Sequence, residues 1–393
     1  MRWHRVLTEA CGELLSQVFD HGRVLDHVVA AAFQAQRKWG KRDRSFVAET
    51  VWEVVRWRRA LAFVAGSEDP RALLAAHWIG REGECPPDWR WQRGGTEEMI
   101  ARRAALADQP RAIRESVPDW LDERGFSEMG PSWDRELAAL NGRAPVFLRV
   151  NTLLADRAAV LDWLRQEKVA ARPVDGLPDA VVLEGLLPKR LVGDGRIEIQ
   201  DAGSQAIVPL LDLEPGMRVI DACAGAGGKT LHLAAAMAGQ GEIVALDVAG
   251  RKLDELRRRA RGAHVRHLST EKWDAGTLRK FRGWADRVLI DAPCSGLGTL
   301  RRQPDLKWRL TEPGLEKTRR TQRKLLDHYP ELLRPGGKWV YATCSVLPSE
   351  NRGQIDALLE RDPRWQVEDE RIVSPAETGW DGFYAARLSG AAR

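Results

Sequence analysis

The sequence predicts an α/β domain with a mostly parallel sheet, preceded by an all-α domain and a small α/β connector. Three observations carry that prediction. From about residue 201, apolar runs of strand length alternate with helical stretches, the pattern of a parallel sheet covered on both faces. Two of those runs, Arg287-Val-Leu-Ile and Lys338-Trp-Val-Tyr, end in turn residues that carry Cys294 and Cys344. Residues 1 to about 140 instead show apolar positions at helical spacing.

The composition sets bounds. A chain of 393 residues exceeds one ordinary core, so ~2–3 domains are expected. Hydrophobic residues make up 44% and charged residues 30%, as in soluble globular proteins. There is no apolar run of ~18 residues, so no membrane span is expected, and the first residues lack the apolar core of a signal peptide. The five cysteines have no paired spacing, which argues against a disulfide framework and a zinc site and fits a reducing cytoplasm. The net charge of +5 permits nucleic-acid binding without demanding it. Nine of the sixteen Trp precede residue 134; most fit helix interfaces, and a few could be stacking platforms for bases.

The elements follow in order. Val24 to Phe33 and Arg44 to Trp57 read as helices, with Ser45 or Asp43 as cap of the second. Gly80 to Gly95, with Pro86-Pro87, reads as a loop. Helical signals return at Glu97 to Ala107 and at Trp120-Leu-Asp-Glu-Arg. Residues 141–200 form the connector, with strands at Val146 to Asn151, Val181 to Glu184 and Arg196 to Ile199 and a helix from Asp156 to Glu167. Residues 201–393 form the last domain. Its strands are expected at Arg218-Val-Ile, Glu242 to Leu246, His264 to Leu268, Arg287 to Ile290 and Lys338 to Tyr341. Thr230 to Met237 and Gly250 to Arg261 are helices between them.

Asp221-Ala-Cys-Ala-Gly-Ala-Gly-Gly-Lys-Thr follows the first of these strands and opens a helix. Glycine permits close approach of backbone to ligand, and the helix amino end offers free N–H groups to an anion. A Walker loop needs Gly at position 223, which is Cys; a dinucleotide fingerprint starting at Gly225 needs Gly at 230, which is Thr. S-adenosylmethionine fits better. Its carboxylate suits the loop, its ribose diol suits Asp247 after the second strand, and its adenine amino group suits Asp274 after the third. Both carboxylates could equally cap helices.

Two thiols at the carboxyl edge of one sheet point to covalent chemistry, in which one attacks and the other moves a proton. Lys307 and the Arg301-Arg302 pair, near Cys294 in sequence, could supply the positive field a thiolate needs; a surface loop is the alternative. Arg257-Arg-Arg-Ala-Arg could follow an RNA backbone or simply face solvent.

These residues resemble a known family. Asp221 to Thr230, Asp291-Ala-Pro-Cys-Ser-Gly through Arg309, and Tyr341-Ala-Thr-Cys-Ser-Val-Leu-Pro-Ser-Glu-Asn are similar to the motifs of the RsmB/NOP-type RNA cytosine-5 methyltransferases. Gln200-Asp-Ala-Gly-Ser-Gln, Leu148-Arg-Val-Asn-Thr and Asp381-Gly-Phe-Tyr-Ala-Ala-Arg also look like family segments, and Arg42 to Arg56 resembles a NusB-like helical domain. The resemblance implies a Rossmann-like class I methyltransferase fold with a mixed, mostly parallel sheet, and domains at 1–140, 141–200 and 201–393. It implies that Cys344 is the nucleophile at cytosine C6, that Cys294 assists release, and that Asp291 contacts the base edge. It also implies that Cys223, Ala224, Gly225, Ala226, Gly227, Gly228 and Lys229, with Asp247, Asp274 and Asp291, hold S-adenosylmethionine.

The chemistry explains these groups. Thiolate addition at C6 makes C5 nucleophilic, an acid at N3 eases addition, and a base must then remove the C5 proton. A stacked base cannot react, so single-stranded or flipped RNA is expected, with small-subunit rRNA as the target implied. A tRNA cytosine methyltransferase, a DNA enzyme using the Pro-Cys thiol, and an inactive RNA-binding assembly factor are the other readings. The Thr-Cys-Ser motif favours RNA, and the intact thiols and loop favour an enzyme. Neither metal nor membrane is expected, and the oligomeric state is not legible.

Overall fold

The computed structural model describes residues 4–82 and 95–390. The predicted loop around Pro86-Pro87, and Cys85 with it, lies outside the described residues. The chain divides into two units.

The first unit comprises Met1–Asn141 and Leu300–Glu312. Its longer helices are Arg5–Phe19, Leu25–Ala35, Lys41–Arg56, Pro70–Glu82 and Asp119–Met129. The helical spacing of Val47, Val51, Val54 and Val55 puts all four on one face, and all are fully buried. They pack with Leu15, Leu74 and Trp78 in one core. The Lys41–Arg56 helix starts earlier than expected, with Gly40 as N-cap. Asp43 accepts from the Gly40 N–H at 2.9 Å, whereas Ser45 donates to Glu49 inside the helix, so neither residue is itself the cap.

The segment Leu300–Glu312 belongs to this unit, although the sequence reading assigned it to the last domain. Asp305 accepts from the Leu25 N–H at 3.2 Å, at the start of the Leu25–Ala35 helix. Trp308 donates to the Val55 carbonyl at 2.7 Å, and Lys307 donates to Asn141 at 3.0 Å. The Arg301 and Arg302 carbonyls accept from Arg56 and Trp52. Lys307 is 1% exposed, and burial, with the charge of Arg56, brings its ammonium down to about 7. Lys307 is therefore a buried group held by Asn141 of the helical unit, and the Arg301-Arg302 backbone is tied to the same unit.

The second unit comprises Gly142–Thr299 and Pro313–Arg393. Its smaller sheet holds β1 (Val146–Val150), β2 (Ala171–Val174), β3 (Leu177–Leu183) and β4 (Ile197–Ile199) in the order β2-β3-β1-β4, with antiparallel pairing. Asp156 caps its Arg157–Gln166 helix by accepting from Ala159 N–H. The larger sheet contains β5 (Arg218–Asp221), β6 (Glu242–Asp247), β7 (Leu268–Lys272), β8 (Ala285–Asp291), β9 (Leu333–Thr343), β10 (Trp365–Val373) and β11 (Phe383–Gly390). Their order is β10-β11-β9-β8-β5-β6-β7. The five strands from β9 to β7 run parallel, and β11 is antiparallel to both its neighbours, so the sheet is mixed and mostly parallel.

The apolar runs are continuous because both faces are covered. Val219, Leu289 and Val340 enter one core, while Ile220, Val288, Ile290, Trp339 and Tyr341 enter another. β7 begins at Leu268, four residues after the expected start, because His264 adopts a left-handed turn. The order reverses at β5, which leads outward to β6 and β7 on one side while β8 returns on the other. Ligands bind beyond the carboxyl ends of strands at such a switch point.

Candidate active site

The loop after β5 is tied to the strands beside it. Ala222 N–H donates to the Leu289 carbonyl at 2.8 Å, and Ala224 N–H donates to Leu246 at 2.9 Å. Gly227 caps the Gly228–Ala236 helix at φ +90°, and a Cβ there would lie 2.1 Å from a Leu256 methyl. Both conformation and space therefore require glycine. Asp247 ends β6, and its two oxygens accept from Gly225 N–H at 2.9 Å and Ala249 N–H at 2.7 Å. The carboxylate is oriented, and its remaining lone pairs stay available.

This loop borders a cleft of about 510 Å³. Cys223, Ala224, Gly225, Ala226, Gly228, Lys229, Asp247 and Asp291 all line it, whereas Gly227 shapes the turn behind it. Asp274 is not brought to the cleft. It caps the Ala275–Phe281 helix, accepting from Gly276 and Thr277 N–H groups, which hold its carboxyl below the usual range. The residue before it, Trp273, lines the cleft and packs 4.4 Å from Tyr329, centroid to centroid. Val248 also lines it and is 68% exposed. The cleft therefore offers apolar and aromatic surface, an oriented carboxylate, a glycine-rich loop at a helix start, and the cations Lys229 and Lys252. That donor set matches a ligand with a flat base, a diol and an amino-acid end. Burial, with the charges of Asp221, Asp291 and Asp247, pushes the Cys223 thiol well up, so its contribution is backbone and shape.

Neighbouring parallel strands bring the two predicted cysteines together. Asp291 of β8 stands opposite Ala342 of β9, and Ala292 N–H donates to the Ala342 carbonyl at 2.8 Å. Cys294 and Cys344 follow in the two adjacent loops, and their Sγ atoms lie 3.3 Å apart. The Cys344 carbonyl accepts from Gly298 N–H at 2.9 Å, and the Gly298 carbonyl accepts from Gly382 N–H at 2.8 Å. A Cβ on Gly298 would meet the Gly382 oxygen at 2.0 Å, so only glycine permits this approach. At the end of β8, Lys229 Nζ donates to Asp291 Oδ2 at 2.8 Å. Burial opposes the Lys229 ammonium, but the charge and hydrogen bond of Asp291 outweigh it, and Cys344 and Asp221 add to the net upward shift.

The family model described as "16S rRNA methyltransferase RsmB/F" matches residues 208–389, and "Methyltr_RsmF/B-like, ferredoxin-like domain" matches residues 117–188. Ribosomal RNA small subunit methyltransferase B of Sodalis glossinidius (strain morsitans) is 33% identical over 341 residues, 81% of this chain and 77% of that one. The chain belongs to the RsmB/F family of rRNA methyltransferases. It is an RNA methyltransferase that uses S-adenosylmethionine. The fold agrees with two solved structures. The crystal structure of PH0851 superposes with a TM-score of 0.81 at 23% identity over 99% of both chains. NSun6 from Pyrococcus horikoshii with SFG gives a TM-score of 0.64 at 19% identity, over 71% of this chain and all of that one.

Several site residues of this RsmB/F member escaped the sequence reading. Trp273, Tyr329, Thr321 and Gln200 line the cleft from elements whose local pattern shows only helix, turn or strand end. The basic run that could have followed an RNA backbone or faced solvent is largely paired within the protein. Arg257 pairs with Asp254, Arg258 with Glu255, and Arg259 with Glu198. The Glu312–His328 helix instead exposes Lys317, Arg320, Arg323 and Lys324, whose side chains have no partner among the described residues. Thr321 and Leu325 of the same helix line the cleft. No helix among the described residues is long and apolar enough to cross a membrane.

Proposed function

We propose that the protein methylates C5 of a cytosine in small-subunit rRNA, in the cytoplasm, through a thioether between Cys344 and C6. The observation that carries this reading is the pair of sulfurs 3.3 Å apart, at the ends of strands whose neighbours form the cofactor cleft. Cys294 holds its proton well above the usual thiol range, first through its hydrogen bond to Cys344 and then through burial. Cys344 stands in the Thr-Cys-Ser motif that the family resemblance gives to the nucleophile, which supports Cys344 as the attacking thiolate and leaves Cys294 for the proton.

Attack forms the C6–S bond and drives electron density toward N3. Asp291, which accepts a hydrogen bond from Lys229, is the group suited to meet it. S-adenosylmethionine supplies the electrophilic methyl group that C5 accepts. Once its sulfur is bonded to carbon, Cys344 is a poorer acceptor for Cys294, and the first cause of the high Cys294 proton affinity is weakened. Cys294 then gives its proton to solvent and, as a thiolate, takes the C5 proton. The C5–H electron pair restores the ring double bond, and Cys344 leaves as a thiolate. The exposed cations of the Glu312–His328 helix support an RNA backbone passing the cleft.

The test is methyl transfer from labelled S-adenosylmethionine to small-subunit rRNA lacking modification, followed by nucleoside mass spectrometry. Labelled 5-methylcytidine is expected. Label at another nucleoside position, or none, rejects the reading.

A further inference from the structure

We propose that Glu350 is a positioning residue that sets the spacing of the two thiols by bridging the serines that follow them. The proposal rests on the two-thiol reading above, but its geometry is independent of it. Glu350 is fully buried. Its Oε2 accepts from Ser295 Oγ at 2.5 Å and from Ser345 Oγ at 2.6 Å. Its Oε1 accepts from Ser295 N–H at 2.8 Å and from Gln322 Nε2 at 3.1 Å. The two serine oxygens are 3.1 Å apart, beside sulfurs 3.3 Å apart.

A carboxylate is costly to bury, and here, among the described residues, four neutral donors hold it without a cation. Each oxygen accepts from two donors, so losing one halves the hydrogen bonding of a buried carboxylate oxygen. Each serine is joined to its cysteine by a single peptide link, so a shift of either serine moves a sulfur. Glu350 is itself fixed, since its carbonyl accepts from the Tyr341 hydroxyl of β9 at 2.7 Å. Asn351 ties the same turn to the Cys344 loop, donating to the Ser345 carbonyl at 2.9 Å. The carboxylate thus joins the loop after β8 to the loop after β9 at the point where both thiols emerge. Its charge also helps hold the proton on Cys294, as a lesser contribution after the Cys344 hydrogen bond and burial.

The test compares wild type with Glu350→Gln in the full chain. Diamide takes two protons and two electrons from a thiol pair, becoming the hydrazine and leaving a disulfide. Wild type should form the Cys294–Cys344 disulfide rapidly, identified as a linked peptide pair in non-reducing mass spectrometry. In Glu350→Gln that linkage should slow, and kcat on rRNA should fall by roughly 100-fold, the scale of a displacement of about 1 Å at a reacting centre. The KM for RNA and the Kd for S-adenosylmethionine should stay within about twofold. The rising limb of the pH–rate profile should also move, because the charge near Cys294 is gone. Folded Glu350→Gln with unchanged disulfide rate and unchanged kcat overturns the proposal. If wild type does not methylate rRNA but the disulfide still slows in the variant, the positioning role stands and the methyl-transfer reading falls. If Glu350→Gln does not fold, Ser345→Ala removes one of the four donors; it should slow the disulfide with the cofactor Kd unchanged, and an unaltered rate overturns the proposal.

Discussion

Lys229 Nζ donates to Asp291 Oδ2 at 2.8 Å, with the lysine side chain 9% exposed and the carboxylate 30% exposed. The lysine comes from the glycine-rich loop and the aspartate from the end of β8, just before the loop that carries Cys294, so one ion pair joins two elements that line the cleft. Removing one partner leaves a largely buried charge unmatched. Lys229→Met should therefore lower stability by about 2 kcal/mol and reduce kcat by about 100-fold. Asp291→Asn should reduce kcat similarly. The double variant should lose little more than either single one. Losses that multiply would show that the two residues act separately.

Asp247 and Asp274 looked alike in the sequence and are separated by the structure. Asp247 lines the cleft while holding Gly225 and Ala249; Asp274 holds only the start of its own helix. Asp247→Ala should weaken S-adenosylmethionine binding by roughly 1.5–3 kcal/mol, the range for a hydrogen bond to a charged group. Asp274→Ala should lower thermal stability and leave cofactor affinity unchanged. Calorimetric titration of both variants decides the matter, and equal affinity losses would contradict the assignment.

Asp221 makes a pH-dependent contribution. It is 1% exposed; burial raises its carboxyl to about 7, against the opposing hydrogen bond from Thr230 and with the Asp291 charge adding to the rise. The folded state therefore keeps a proton that the unfolded chain has already released near pH 4. Stability from this group is complete below about pH 4 and declines as pH rises to about 7. Buried His232, held well below the usual imidazole range by burial, works in the opposite sense as pH falls. A difference measurement isolates Asp221: Asp221→Asn should gain stability relative to wild type between pH 4 and 7, by a few kcal/mol at most. Urea midpoints that track each other across that range would refute it.

Much of the catalytic unit was legible because its local chemistry is demanding. Gly227 must adopt φ +90° beside Leu256, and Cys294 and Cys344 follow apolar runs that only a sheet buried on both faces produces. β10 and β11 were missed. β10 is a charged edge strand, Gln366 to Arg371 being rich in Glu, Asp and Arg, and so lacks an apolar run. The placement of Leu300–Glu312 was also illegible, because Asp305 meets Leu25 from 280 residues away. Glu350 lies between Ser and Asn in a turn, where capping is the ordinary reading. Its bridging position exists only once two loops 50 residues apart have met.

The exposed cations of the Glu312–His328 helix make a prediction about RNA. Lys317, Arg320 and Lys324 recur at helical spacing beside Thr321, which lines the cleft. Replacing all three by Gln should raise the KM for rRNA and reduce the salt slope of binding by up to about 2, from roughly 0.7 per single-strand phosphate contact. Cofactor affinity should not change. An unaltered salt slope would remove this helix from the RNA path.

The last prediction tests the division of labour between the thiols. If Cys344 attacks and Cys294 removes the C5 proton, Cys294→Ala still permits addition and methyl transfer. The enzyme should then stall as a protein–RNA adduct through Cys344, seen as a slow band in denaturing electrophoresis that needs both RNA and S-adenosylmethionine. Cys344→Ala should give neither adduct nor product while binding the cofactor normally, since Cys344 does not line the cofactor cleft. The double variant should match Cys344→Ala, because the later step cannot matter once the first is lost. The sulfurs are only 3.3 Å apart, so the reverse arrangement is sterically open, and the variants separate the two. If Cys294 attacked, Cys294→Ala would give no adduct and Cys344→Ala would keep activity. That pattern would reverse the roles and remove the main argument for RNA cytosine chemistry of the Thr-Cys-Ser kind.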